Sequence, residues 1–115
     1  MLIVAIFLLL VAVTLGLGVL PQILQERRPN KTIRALHGLF AATGLILVYV
    51  HVFAFMVSFS PLLVVSLVLL TLAALGGLTL VILAQKKIYA PKIVIVLHPL
   101  VAIAGLFALV IHILP

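Results

Sequence analysis

Four histidines are the residues of this sequence whose type and spacing could do chemistry. Thirteen residues separate His37 from His51, and the same number separates His98 from His112 later in the chain. Each pair lies in an otherwise apolar run. A polar side chain is costly there, so its presence indicates a function. These four side chains are therefore the candidate ligands of a metal or a cofactor.

The spacing predicts how the four side chains are arranged. A step of fourteen positions is two heptads, so both histidines of a pair face the same seam of a left-handed helical bundle. They lie roughly 21 Å apart along the axis, at about 1.5 Å per residue. If the two helices run parallel and lie diagonally across a four-helix core, His37 is level with His98 and His51 with His112. The sequence thus predicts two sites, each with two facing imidazoles.

The number of ligands at each level favours one kind of cofactor. Two neutral imidazoles are too few for a tetrahedral zinc site, and no carboxylate or thiolate within the apolar runs completes one. Haem iron needs only two axial ligands, because its macrocycle supplies four nitrogens. The sequence contains no cysteine, which excludes disulfides and the covalent attachment of haem. We therefore expect two haem b groups, with His37, His51, His98 and His112 as the axial ligands of the iron.

The composition predicts an integral membrane protein. Of the 115 residues, 68% are hydrophobic and 7% are charged, whereas a soluble domain has about a quarter of its residues charged. The chain contains four apolar runs of the length that crosses a bilayer, separated by short connections that make consecutive helices antiparallel neighbours. The runs cover residues 2–24, 33–57, 62–84 and 93–114. We expect one all-α domain over residues 1–115, a transmembrane four-helix bundle with up-down-up-down topology.

The basic residues predict the orientation of this bundle. All of them lie at one side of the predicted membrane, which the positive-inside rule places in the cytoplasm, with both termini on the opposite side. They are Arg27, Arg28, Lys31, Arg34, Lys86, Lys87 and Lys92. A net charge of +6 carried by two short connections gives no support for a nucleic-acid partner. The expected location is a bacterial or organellar inner membrane.

Glycines take part in the same internal repeat as the histidines. The offset that superposes His37 on His98 also superposes Gly16 on Gly77 and Gly44 on Gly105. This repeat predicts two related helical hairpins about a pseudo-twofold axis along the membrane normal. Gly16 and Gly77 fall near the level of the first histidine of each pair, where small residues would let a porphyrin pass. Gly44 and Gly105 fall midway between the two levels, where the space between two stacked cofactors would be. Close helix packing is the alternative reading of Gly16 and Gly77.

Three threonines in the spans have a simpler prediction. Thr43, Thr71 and Thr79 are expected to hydrogen-bond to the backbone of their own helices.

The histidine pattern resembles that of a known family. Two histidines separated by thirteen residues on each of two diagonal helices resemble the haem ligands of the cytochrome b subunit of the quinol:cytochrome c oxidoreductases. The sequence Arg34-Ala-Leu-His37 looks like the arginine of that family three residues before the first ligand, which there meets a haem propionate. The resemblance covers the four-helix core and implies two bis-histidine haems that carry electrons. The Pro-Glu-Trp-Tyr quinol-site motif of that family is absent from this sequence.

The predicted function is electron transfer across the lipid bilayer, with quinol or a redox protein as partner. An electron-transfer protein is favoured over an enzyme, because both axial positions of each iron are filled. The positive charge near Arg34 predicts a higher reduction potential at the His37/His98 level. Two alternatives remain: a haem-containing anchor subunit of a larger respiratory complex, and a proton or metal carrier that uses the histidines. The lack of intramembrane carboxylates counts against the carrier.

Overall fold

The computed structural model describes residues 2–25, 31–55 and 60–114. These residues form four α-helices, which confirms the all-α prediction: α1 Leu2–Leu24, α2 Lys31–Phe55, α3 Pro61–Gln85 and α4 Lys92–Ile113. The predicted spans agree with these helices to within two residues at each end. The last two residues of the second predicted span, 56 and 57, lie outside the described residues, as do Arg27 and Arg28.

All four helices are long and apolar enough to cross a membrane, consistent with an integral membrane protein. In hydrocarbon every backbone polar group needs a partner within the protein, and an apolar run meets that need by folding as a helix. Large apolar side chains cover the outside of the bundle; Ile3 is 75% exposed and Phe53 is 74% exposed. A surface of this kind is suited to contact with lipid.

The ends of α3 are defined by local hydrogen bonds. At its start, Ser60 accepts a hydrogen bond from the Leu63 N–H at 3.1 Å, and Pro61 occupies the first helical position, where no N–H is needed. At its end, Lys87 adopts a left-handed conformation with φ of 57°, and the Ile88 N–H donates to the Leu83 carbonyl at 2.9 Å. This pattern is a Schellman motif, and it turns the chain toward α4.

The helices pack as two hairpins, α1 with α2 and α3 with α4. Within the first hairpin, Gly44 faces Leu9, while His37, which comes earlier in α2, faces Gly16, which comes later in α1. The contacts therefore run in opposite directions along the two helices. The second hairpin repeats these contacts at the equivalent positions of the internal repeat, as described below for the site.

The two hairpins meet along α1 and α4 and, less extensively, along α2 and α3. Within the described parts of the chain, α2 and α4 have no Cα atoms within 8 Å of each other. These two helices therefore lie opposite each other across the bundle, and both carry histidines that can reach the space between them.

We call the end of the bundle where α2 and α4 begin the basic end, and the end where α2 and α4 finish the terminal end. The apolar core is concentrated toward the terminal end. Its buried members are Leu2, Ala5, Ile6, Leu9, Val48, Val52, Leu63, Leu70, Leu106 and Leu109. Toward the basic end, histidine rings lie in the core together with the buried side chains of Val19 and Ile95.

Candidate functional site

His37 and His98 meet across the core from opposite helices. Their ring centroids are 6.1 Å apart and their planes are perpendicular. Since the backbones of α2 and α4 do not approach each other in the described residues, the contact between these helices is made by the two side chains. The structure thus brings together the first histidines of the two repeated pairs.

The His37 ring is held by the backbone of α1. Its Nδ1 lies 2.6 Å from the Ala12 carbonyl oxygen. A carbonyl oxygen only accepts hydrogen bonds, so Nδ1 carries the hydrogen and donates it. The neutral ring then has a lone pair on Nε2, and this nitrogen is the one available to a metal.

Gly16 is what makes this hydrogen bond sterically possible. It lies one turn after Ala12 in α1, where a side chain would cover the approach to the Ala12 carbonyl. A β-carbon built on Gly16 would lie 2.8 Å from His37 Cε1 and 3.0 Å from its Nδ1, closer than real contacts allow. The glycine therefore supports the orientation of the histidine ring directly.

The second hairpin repeats this arrangement incompletely. A β-carbon on Gly77, the repeat equivalent of Gly16, would lie 3.0 Å from His98 Cε1, so this ring also lies against a glycine. Yet His98 Nδ1 is buried and makes no hydrogen bond of ordinary geometry within the described residues. A buried polar atom without such a bond costs about 1–3 kcal/mol, and exceptions of this kind often mark functional sites.

A groove of about 190 Å³ opens beside His98 between α3 and α4. Apart from the imidazole, its lining is apolar and includes Ala73 and Gly76. Gly76 also approaches the ring, since a β-carbon there would lie 3.6 Å from His98 Nδ1. The two adjacent glycines thus leave one side of the ring uncovered by side chains of α3.

The histidines toward the terminal end have different surroundings. His112 Nδ1 lies 2.9 Å from the Ser60 hydroxyl, the same hydroxyl that caps α3. His51 is half-buried near the end of α2. The core at this level is filled by aliphatic side chains; Val48 and Leu109 are fully buried.

The remaining predicted site residues take other positions. Gly44 packs against the Leu9 side chain, and Gly105 packs against Leu70 at the equivalent place in the second hairpin. Both are contacts between the helices of one hairpin. Arg34 is half-buried one turn before His37 on α2.

The threonine predictions have a mixed outcome. Thr43 and Thr79 each donate to the carbonyl four residues earlier, at 2.8 and 2.9 Å, as predicted. The prediction for Thr71 is wrong, because its hydroxyl bonds to the Tyr49 hydroxyl on α2. Sequence reasoning did not connect Tyr49 with α3, since Thr71 has the same kind of apolar surroundings as the other two.

Two further partners were also missed. The Ala12 carbonyl has no side-chain signal in the sequence, although the glycine four residues later is a clue to its exposure. Ser60 precedes a proline, which signals a helix start, but nothing in that signal indicates that the hydroxyl also bonds to a histidine.

The donor set fits axial ligation better than a metal site made of protein ligands. Among the described residues, no group of three or more histidine, cysteine, aspartate or glutamate side chains comes together. His37 and His98 offer two imidazoles, with glycines beside both rings. These residues fit a planar cofactor that supplies its own equatorial ligands.

Comparison with known protein families, curated proteins and solved structures gives no match for this chain. The fold and the site define a class of protein. It has four helices long enough to span a membrane, and two histidine rings meet in its core with their planes perpendicular. The resemblance to cytochrome b rests on the spacing of the histidines and on Arg34.

Proposed function

We propose that the chain is a transmembrane electron-transfer protein that binds two haem b groups, one between His37 and His98 and one between His51 and His112. The observation that carries this proposal is the His37/His98 pair, with His37 Nδ1 bonded to the Ala12 carbonyl. The proposed fold is an up-down-up-down bundle of two related hairpins, supported by the opposite direction of the contacts within the hairpins.

The geometry of the pair supports axial ligation. His37 and His98 would hold the haem between them as its two protein ligands. The ring centroids of His37 and His98 are 6.1 Å apart. Donation from Nδ1 to a carbonyl fixes the tautomer, orients the ring and makes Nε2 a stronger ligand, and His37 meets this condition.

Each haem, once bound by two imidazoles, would exchange one electron and leave no iron position open to a substrate. Gly16 and Gly77 let the two rings lie directly against the backbones of α1 and α3. Arg34 lies at the basic end, one turn from His37, where its positive charge would pair with a propionate and favour the reduced state.

The second site is proposed from the repeat. His51 and His112 follow His37 and His98 at the same interval along their helices, and His112 Nδ1 has a hydrogen-bond partner in Ser60. The aliphatic core at this level would have to open to admit the cofactor. We therefore expect the His37/His98 site to fill first in a titration with haem.

The proposed location is a bacterial or organellar inner membrane, with both termini on the non-cytoplasmic side. The distribution of basic residues supports this orientation. The proposed partners are a quinol or a redox protein, because a bis-histidine haem needs an external donor and acceptor. Reduction by a quinol in the isolated chain would separate this function from that of an anchor subunit.

An absorption spectrum after purification with haem supplied tests the proposal. A Soret band with haem b stoichiometry is expected, and its absence would refute haem binding. His37→Ala and His98→Ala should each remove the same haem and retain the other. If His37→Ala and His51→Ala removed the same haem, the pairing by level would be wrong.

A further inference from the structure

The Ser60 hydroxyl connects the start of α3 with the end of α4. It accepts a hydrogen bond from the Leu63 N–H at 3.1 Å, and it lies 2.9 Å from His112 Nδ1. Ser60 is half-buried, and so is His112. One hydroxyl therefore serves both as a helix cap and as the partner of a histidine in the second proposed site.

The hydrogen bond between Ser60 and His112 differs from the one between Ala12 and His37 in which atoms can donate. The Ala12 carbonyl can only accept, so His37 must donate from Nδ1. A hydroxyl can donate or accept, so His112 can take either tautomer. The direction of the bond then depends on the surroundings of Ser60.

Two features of those surroundings favour donation by the hydroxyl. Its oxygen already accepts the Leu63 N–H, and accepting one hydrogen bond strengthens the donation of the next. The oxygen also lies at the N-terminus of α3, where the positive end of the helix dipole disfavours the approach of a further N–H donor. Both effects orient the hydroxyl hydrogen toward His112.

We propose that Ser60 is a positioning residue that donates to His112 Nδ1, so that the ligand-free protein holds His112 and His37 in opposite tautomers. His37 carries its hydrogen on Nδ1, and His112 carries it on Nε2. On the proposed function, haem binding at the terminal end would require this hydrogen bond to reverse, with Nδ1 donating to Ser60. The His37 site needs no such change.

The tautomers can be measured without haem. The full chain, with its histidine rings labelled with ¹⁵N, is placed in lipid nanodiscs at about pH 8, where an ordinary imidazole is neutral. Two-bond ¹⁵N–¹H correlation spectra distinguish Nδ1–H from Nε2–H rings. The expected result is an Nε2–H pattern for His112 and an Nδ1–H pattern for His37.

Substitutions separate the positioning role from the cap. Ser60→Thr keeps the hydroxyl and should preserve the His112 pattern. Ser60→Gly keeps most of the cap but removes the hydroxyl, and it should shift the His112 pattern while leaving the His37 pattern unchanged. Ser66→Ala is the matched control, because it removes another α3 hydroxyl, which is buried and bonds to no histidine among the described residues.

The possible outcomes are distinct. An Nδ1–H pattern for His112 in the unaltered protein, or no change in Ser60→Gly, would overturn the proposal. A shift in Ser66→Ala equal to that in Ser60→Gly would also overturn it. If these tautomers are found but the protein never takes up haem, the proposed function fails while the role of Ser60 stands.

Discussion

The two ends of the bundle carry the same histidine spacing in different kinds of core. Toward the basic end, two imidazoles meet each other and glycines let them lie against the backbones of α1 and α3. Toward the terminal end, buried leucines and valines fill the interior, and a hydroxyl from the adjoining connection binds one histidine. The histidines are thus repeated, but their surroundings are not.

The difference lies in what can hold an imidazole within a helical membrane bundle. A backbone carbonyl is available at every turn, but it is accessible only where the residue one turn later has no side chain. Gly16 provides this access to Ala12. Near a helix end no such glycine is needed, because the cap residue Ser60 provides its own hydroxyl.

The largest expected effect is that of a substitution that alters the basic end of the bundle and leaves the terminal end unchanged. Gly16→Val would place its side chain where the His37 ring lies and would break the hydrogen bond to Ala12. We expect loss of the basic-end haem and retention of the other, measured as the haem-to-protein ratio and by single-haem redox titration.

Gly18→Val is the matched control for this substitution. A β-carbon on Gly18 would meet no atom within 4 Å among the described residues, so both haems should remain. Equal loss of haem in the two variants would contradict a specific role for Gly16.

The sequence predicted the four helices and the pairing of His37 with His98 for clear physical reasons. In lipid, an apolar run long enough to span the membrane folds as a helix, because a helix satisfies its backbone hydrogen bonds internally. The internal repeat places the first histidine of α2 and the first histidine of α4 at equivalent positions of their helices. Such periodic features can be deduced without knowing any contact between helices.

The features that the sequence did not predict depend on contacts between helices. Gly44 and Gly105 were placed midway between the two histidine levels, and the structure shows them packed against Leu9 and Leu70. The partner of Thr71 depended on the rotation of α3 relative to α2. Spacing along one helix does not determine such rotations.

A second prediction compares the two hairpins at equivalent glycines. A β-carbon on Gly105 would lie 3.0 Å from the backbone nitrogen of Leu70, whereas on Gly44 its nearest neighbour, at 2.9 Å, would be the Leu9 side chain. A side chain can rotate away more easily than a backbone can move. Gly105→Ala should therefore destabilise the protein by about 1–3 kcal/mol, and Gly44→Ala by less.

Unfolding in mixed micelles with increasing denaturing detergent measures both glycine variants. Gly38→Ala is a suitable control, because a β-carbon there has no neighbour within 4 Å in the described part of the chain. Equal losses at Gly44 and Gly105 would show that α3 and α4 adjust as readily as α1 and α2.

A third prediction concerns the reduction potentials at the two ends. Positive charge favours the reduced haem, so the basic-end haem should have the higher potential. Arg34 is half-buried, and after screening its contribution should be on the order of 1 kcal/mol, or roughly 40 mV for one electron. Arg34→Gln should lower the potential of that haem alone.

Redox titration of variants that retain a single haem tests this third prediction. Lys86→Gln, at an exposed position of the same end, should produce a smaller shift. A higher potential at His51/His112 than at His37/His98 would refute the effect of charge.

The smallest expected effect concerns a hydrogen bond between α2 and α3, the less extensive of the two contacts between the hairpins. The Tyr49 and Thr71 hydroxyls bond to each other between α2 and α3. In Tyr49→Phe the Thr71 hydroxyl can turn to the carbonyl one turn earlier, as Thr43 and Thr79 do. The loss of stability should therefore be only about 0.6 kcal/mol, the average for such bonds between membrane helices.

Thr71→Val should cost more, because a tyrosine hydroxyl cannot reach the backbone of its own helix turn in the same way. The same detergent-unfolding measurement compares the two variants, and an equal or larger loss in Tyr49→Phe would show that Thr71 does not regain a partner.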